Sequence, residues 1–169
     1  MATVNLSSYE EESVPTAENL RFGIVVSEWN HEITEGLYKG AADALIHHGA
    51  APHNIIRVNV PGSFELVYGA KVLAKETELD AIVVLGSVIQ GETRHFEFVC
   101  DAVAQGIKDL NVLLDIPVIF GVLTDNTLEQ AQARSGGKLG NKGTECAIAA
   151  IKMAAITHVL RDEEESDEA

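Results

Sequence analysis

The sequence predicts an α/β fold, a three-layer sandwich in which a four-stranded parallel sheet carries helices on both faces. Three observations predict it. Short apolar runs, typical of strands buried on both faces, alternate with segments of helical period along the body of the chain. Turn or cap signals separate most strands from the helices that follow, in the βα order that builds a parallel sheet. The 169 residues, 46% of them hydrophobic, suffice for a single domain with its own core.

Phe22-Gly23-Ile24-Val25-Val26 reads as the first strand. A helix over residues 32–49 follows, with Ile33, Leu37, Ala41 and Leu45 on one stripe and Gly49 as its stop. Residues 55–60 form the second strand, broken by Pro61-Gly62, and a helix over 64–76 turns Leu66, Ala70 and Leu73 inward. Residues 81–85 are the third strand. The helix over 93–111 spaces Phe96, Val99, Cys100, Val103, Ile107 and Leu110 at helical intervals. Residues 117–122 are the fourth strand, and Thr127-Leu128-Glu129-Gln130 fits a capping box opening a short helix. A Gly-rich loop, 136–143, precedes a last helix over 144–160 that is apolar on almost every side except Lys152. One sheet face buries only a stripe of a helix, so the surplus predicts a covering subunit.

The single domain spans 21–160, between two acidic tails. Residues 1–20 carry four glutamates and no base, and read as a tail with a short extended piece. Residues 161–169 set six acids against Arg161 and read as disordered. Together they hold more than half of the net charge of −14. So acidic a chain suits no nucleic acid, and any phosphate site must be local, built from backbone N–H groups and one or two bases. No stretch approaches the roughly 20 apolar residues of a membrane span, and no signal-peptide pattern opens the chain. Cys100 and Cys146 fall inside predicted helices, as reduced thiols of a cytoplasmic protein do. His31, His47, His48, His53 and His158 form no ligand spacing with them, so no metal is expected.

Open parallel sheets bind ligands outside the carboxyl ends of their strands. Four segments qualify: 27–30, 61–65, 86–95 and 121–124. They hold the only Trp of the chain, a Pro-Gly pair and a His at a helix start. Trp29 offers a flat face to a planar ring. Glu65, taken alone, fits a favourable contact with a helix dipole as well as a ligand hydroxyl. Gly91-Glu92-Thr93 enters a helix whose N–H groups suit phosphate, and His95 fits a general acid or base near neutral pH, although a solvated His is the commoner case. Arg134 is a candidate anion clamp, or an ordinary helix charge; Arg94 reads as a surface charge. By themselves these residues support an α/β domain with a site for a small, planar, phosphorylated ligand.

The ordered set is more specific. Trp29-Asn30, Pro61-Gly62-Ser63-Phe64-Glu65, Gly86-Ser87-Val88-Ile89-Gln90-Gly91-Glu92-Thr93-Arg94-His95-Phe96, Phe120-Gly121-Val122-Leu123-Thr124 and Gly140-Asn141-Lys142-Gly143 resemble the lumazine synthase family over about residues 20–158. The resemblance implies a flavodoxin-like fold. It implies condensation of 5-amino-6-ribitylaminopyrimidine-2,4-dione with 3,4-dihydroxy-2-butanone 4-phosphate to 6,7-dimethyl-8-ribityllumazine, with loss of phosphate and water and no cofactor. By similarity, Trp29 stacks on the pyrimidine; Asn30, Ser63 and Glu65 hold the ribityl chain, which Phe64 lines; Val88 and Ile89 contact the ring. Glu92 and Thr93 hold phosphate with Arg134 as charged partner, His95 moves protons, and Phe120 and Lys142 close the site from an adjacent subunit. The family forms pentamers, often packed into sixty-subunit shells that can associate with a riboflavin synthase; an N-terminal segment such as residues 2–8 often adds a strand to a neighbour. Two positions depart from the pattern: Gln90 stands where the family commonly has a base, and Trp29 where it often has Phe. A lumazine- or flavin-binding module without turnover, a riboflavin synthase of the same fold, and a structural shell are the alternatives; a phosphate site and His95 favour the first enzyme.

Overall fold

The strands β1 (Phe22–Ser27), β2 (Ile55–Val60), β3 (Ala81–Ile89) and β4 (Val118–Asp125) form one sheet in the order β2-β1-β3-β4, all parallel. The chain is described by a computed structural model over residues 5–167, with side chains over 5–160. Phe22 pairs with Ile55 on one side and Ala81 on the other, and Val84 with Phe120, so the carboxyl ends of all four strands lie along one edge.

Successive strand residues face opposite sides, which gives the sheet two cores. Ile24, Val26, Val83 and Leu85 pack under α1 (His31–His47) and α5 (Lys142–Asp167), against Leu37, Leu45, Ala147 and Ile151. Val25, Ile82 and Val84 pack under α2 (Leu66–Glu76) and α3 (His95–Leu113), against Leu66, Ala70, Val103 and Ile107. The expected sandwich is thus present. Burying each large side chain contributes about 1.5–3 kcal/mol. Over Lys142–Leu160, α5 is long and apolar enough to cross a bilayer, but it seats Cys146, Ala147, Ala150, Ile151 and Ala154 in the first core.

Element bounds differ where hydrogen bonding outruns the apolar pattern. β3 and β4 extend beyond 85 and 122 because Gly86–Ile89 keep pairing with Val122–Asp125 despite Ser87 and Thr124. α3 starts at His95 rather than 93. Half of the capping box at Thr127 forms: Gln130 N–H donates to Thr127 Oγ1 (3.3 Å), while the Gln130 side chain accepts from Asn126 N–H (2.8 Å), one residue before the cap, and α4 (Leu128–Arg134) opens there. The Gly-rich loop folds as a small hairpin of β5 (Ser135–Gly137) and β6 (Gly140–Asn141), and α5 begins directly at Lys142. Its backbone stays helical through Asp167, past 160, where an acidic tail was expected to begin; residues 168–169 lie outside the described residues.

The N-terminal segment is more ordered than its composition predicts. Ala17 and Leu20 are buried, Ala17 N–H donates to His48 O (2.8 Å), and Glu11 pairs with His47. Of the strand expected on a neighbour over 2–8, residues 2–4 lie outside the described residues. Leu6 and Ser7 bond to the chain's own hairpin instead, with Leu6 N–H donating to Leu139 O (3.1 Å). These contacts join residues far apart in the chain and leave no periodic signal in sequence.

Candidate active site

A cavity of about 580 Å³ opens at the carboxyl ends of β1 and β3, where the connections leave in opposite directions along the sheet. Beyond β1 the pairing continues through Glu28 N–H to Val60 O (2.8 Å) and Trp29 N–H to Pro61 O (3.3 Å), which carries the indole out over the opening. Trp29 is 73% exposed, an apolar plane with little protein over it. Asn30 adopts the left-handed conformation (φ 56°, ψ 48°), which Asn tolerates better than most residues. Its Nδ2 donates to Ser87 O (2.9 Å) and ties the exit of β1 to the end of β3.

Gly62 lets the next group close in. A Cβ there would lie 3.0 Å from Glu65 Oε2 and 3.3 Å from Trp29 Cδ1, so carboxylate and indole border one small space. A single helical turn, Ser63–Glu65, directs Phe64 and Glu65 outward while burying Ser63 over Gly86. Ser87, Val88 and Ile89 line the end of β3. The hydroxyls of Ser63 and Ser87, like that of Ser27 at the end of β1, are buried without a hydrogen-bond partner among the described residues. An unmade bond of this kind costs about 1–3 kcal/mol, and Ser63 and Ser87 are residues of the cavity lining.

His95 is the first residue of α3 and is exposed. Its backbone N–H reaches Thr93 Oγ1 at 3.4 Å, and no side chain caps this 19-residue helix at Arg94. Glu92 and Thr93 lie exposed immediately before it, beside the cavity's edge but not in its lining. Arg94 pairs with Glu97 (3.1 Å) and covers Phe98, a surface role. The cavity thus gathers eight predicted residues: Trp29, Asn30, Ser63, Phe64, Glu65, Val88, Ile89 and His95. It adds Gly62, Ser87 and Val99, which were not singled out; a serine interrupting an apolar strand was the one available signal for Ser87.

Phe120, Arg134 and Lys142 do not reach this cavity. Phe120 sits on the edge strand β4, and its carbonyl accepts from Cys146 Sγ (3.6 Å). Arg134, expected to pair with a phosphate, donates to Leu139 O (2.9 Å) and Glu145 Oε1 (2.6 Å) within its own chain. Lys142 Nζ donates to Glu145 Oε2 (3.0 Å). Burial would raise the Glu145 carboxyl, but hydrogen bonds from Arg134, Lys142 and Ser7 outweigh it and hold the group below the usual carboxylate range. Burial pushes the nearby Cys146 thiol up to about 11, so it is protonated at neutral pH and unsuited as a nucleophile. Among the described residues no three His, Cys, Asp or Glu side chains are grouped to hold a metal ion.

The family profile of 6,7-dimethyl-8-ribityllumazine synthase matches residues 19–158. The chain belongs to this family. Proteins of that name include one from Christiangramia forsetii, 67% identical over 153 residues, which cover 90% of this chain and 91% of that one. The Flavobacterium johnsoniae protein is 64% identical over 90% of this chain and 80% of its own length, and the Porphyromonas gingivalis protein 53% identical over 94% and 100%. The family match takes in the whole sheet, the cavity and the Phe120–Arg134–Lys142 group, leaving out only the two termini.

Proposed function

We propose that the chain is a lumazine synthase of riboflavin biosynthesis, joining 5-amino-6-ribitylaminopyrimidine-2,4-dione to 3,4-dihydroxy-2-butanone 4-phosphate and releasing 6,7-dimethyl-8-ribityllumazine, phosphate and water. One observation carries this reading beyond family membership. A bare indole, a carboxylate, two unpartnered buried hydroxyls and an exposed imidazole share one cavity, which suits a planar ring with a polyol chain.

Trp29 stacks on the pyrimidine, with Val88 and Ile89 against its edge. Asn30, Ser63 and Glu65 hold the ribityl hydroxyls beside Phe64. Glu92 and Thr93, at the uncapped start of α3, receive the phosphate in the field of the helix N-terminus. His95 stands two residues further on and moves the protons of imine formation, phosphate elimination and ring closure, worth roughly 10²–10⁴-fold. Holding both substrates in register supplies the rest, and no nucleophilic side chain or cofactor is needed.

The separation of Phe120, Arg134 and Lys142 from the cavity supports a site completed by a second copy. A contact between two different surfaces of one chain is head-to-tail, and it forms a ring where the rotation closes. On this reading the protein works as a homopentamer with sites between subunits, extended to a sixty-subunit shell that can associate with a riboflavin synthase. It acts in the cytoplasm, in keeping with its free Cys100 and Cys146. The test is product formation from the two substrates, followed by lumazine absorbance and confirmed by mass. Product above the uncatalysed rate is expected; none would overturn the reading in favour of a binding module.

A further inference from the structure

We propose that the N-terminal segment Asn5–Ser7 is a positioning element for Arg134, and through it for the phosphate-bearing substrate. This rests on Arg134 being the phosphate clamp.

Among the described residues the guanidinium of Arg134 has two acceptors, and the N-terminal segment uses both. Leu139 O accepts from Arg134 Nη1 (2.9 Å) and from Leu6 N–H (3.1 Å). Glu145 Oε1 accepts from Arg134 Nη2 (2.6 Å) and from Ser7 Oγ (2.9 Å). The Ser7 hydroxyl has one proton and two acceptors in reach, Glu145 and Asn141 O (3.0 Å). The ionised carboxylate is the stronger acceptor and takes the proton. The hydroxyl oxygen in turn accepts from Asn141 N–H (2.6 Å), the residue just before Lys142.

The segment is built to lie there. Ser7 is 9% exposed, and its own N–H is held by Asn5 Oδ1 (2.9 Å). Beneath it Gly140 turns with φ +93°, and a Cβ at that position would fall 2.3 Å from Asn5 Oδ1 and 2.4 Å from Ser7 Oγ. Only glycine suits both the turn and the contact. Ser7 therefore fixes the carboxylate that sets the direction of Arg134, and occupies part of its bonding capacity. Without Ser7, Oε1 of Glu145 is left to Arg134 alone while Lys142 still holds Oε2, so the carboxylate competes more strongly with phosphate for the guanidinium.

The experiment compares Ser7→Ala, Ser7→Thr and Arg134→Ala with the native full-length protein. It measures KM for each substrate, kcat, and competitive inhibition by inorganic phosphate. Ser7→Ala is expected to raise KM for the butanone phosphate and weaken inorganic phosphate by the same factor, about 3- to 10-fold, as the loss of one hydrogen bond does. KM for the pyrimidine and kcat stay within about twofold, Arg134→Ala gives a larger shift of the same kind, and Ser7→Thr restores native values. The inference is overturned if Ser7→Ala leaves phosphate binding unchanged while Arg134→Ala weakens it. It is equally overturned if Ser7→Ala shifts both substrates alike or is not rescued by threonine, since a merely structural role does that. If Arg134→Ala itself spares the phosphate-bearing substrate, the assignment of Arg134 fails first and this inference falls with it.

Discussion

His95 and Trp29 carry the most specific consequences of the account. Replacing His95 by Ala removes the proton carrier but leaves the ring and polyol contacts, so turnover should fall by roughly 10²–10⁴-fold while a ribityl-lumazine analogue still binds. Unchanged turnover would remove His95 from the chemistry. Trp29 is the only Trp and is largely exposed, so its fluorescence should be quenched by that analogue. Absence of quenching would put the indole outside the site. The strand-end rule located the cavity and pointed to Trp29, Glu65 and His95, while Asn30, Ser63, Phe64, Val88 and Ile89 entered through the family resemblance. The Pro-Gly pair and a serine within an apolar strand marked Gly62 and Ser87, but their roles were hidden: one acts by having no side chain, and the other carries a hydroxyl left unpaired in three dimensions. The surroundings of Arg134 were equally hidden, since Ser7 is 138 residues from Glu145.

Strands and helices hold this site by burial more than by caps. Ile151 is fully buried between α5 and the sheet, and Ile151→Ala should cost about 2–5 kcal/mol in chemical unfolding. Thr127 caps only the seven-residue α4, so Thr127→Ala should cost about 0.5–2 kcal/mol. If the cap change cost more than the core change, the packing account would be wrong. The four strands and the helices between them followed from apolar runs and period, whereas their order in the sheet came from the fold. Strand ends did not follow either, because backbone pairing continues through Ser87 and Thr124, where the apolar pattern stops. The bidentate pair of Arg57 with Glu35, with Arg57 stacked 4.2 Å over Tyr38, joins β2 to α1 in a way no local pattern signals.

For the molecule as a whole, charge and exposed apolar surface set the behaviour. The Glu145 carboxyl lies below its ordinary range, so its clasp stabilises fully above that range and is lost as pH falls through the lowered value. Thermal stability should therefore fall on acidification, and Glu145→Gln should flatten that decline; an unaltered profile would mean the clasp contributes nothing. Met153, Ile156 and Leu160 of α5 remain exposed, as does Tyr68 on α2, more apolar surface than a solitary chain needs. The apolar last helix announced this surplus in the sequence, whereas the split of the predicted site into two groups emerged only from the fold. That split makes complementation the most direct measurement. His95→Ala and Arg134→Ala chains are co-expressed, purified as mixed assemblies and assayed for lumazine formation at butanone phosphate well below the KM of Arg134→Ala, where each variant alone turns over slowly. If each working site joins the cavity of one chain to Arg134 of another, equal mixing restores about a quarter of the sites and a matching share of activity. If mixed assemblies are no more active than the two variants apart, the shared-site account is contradicted.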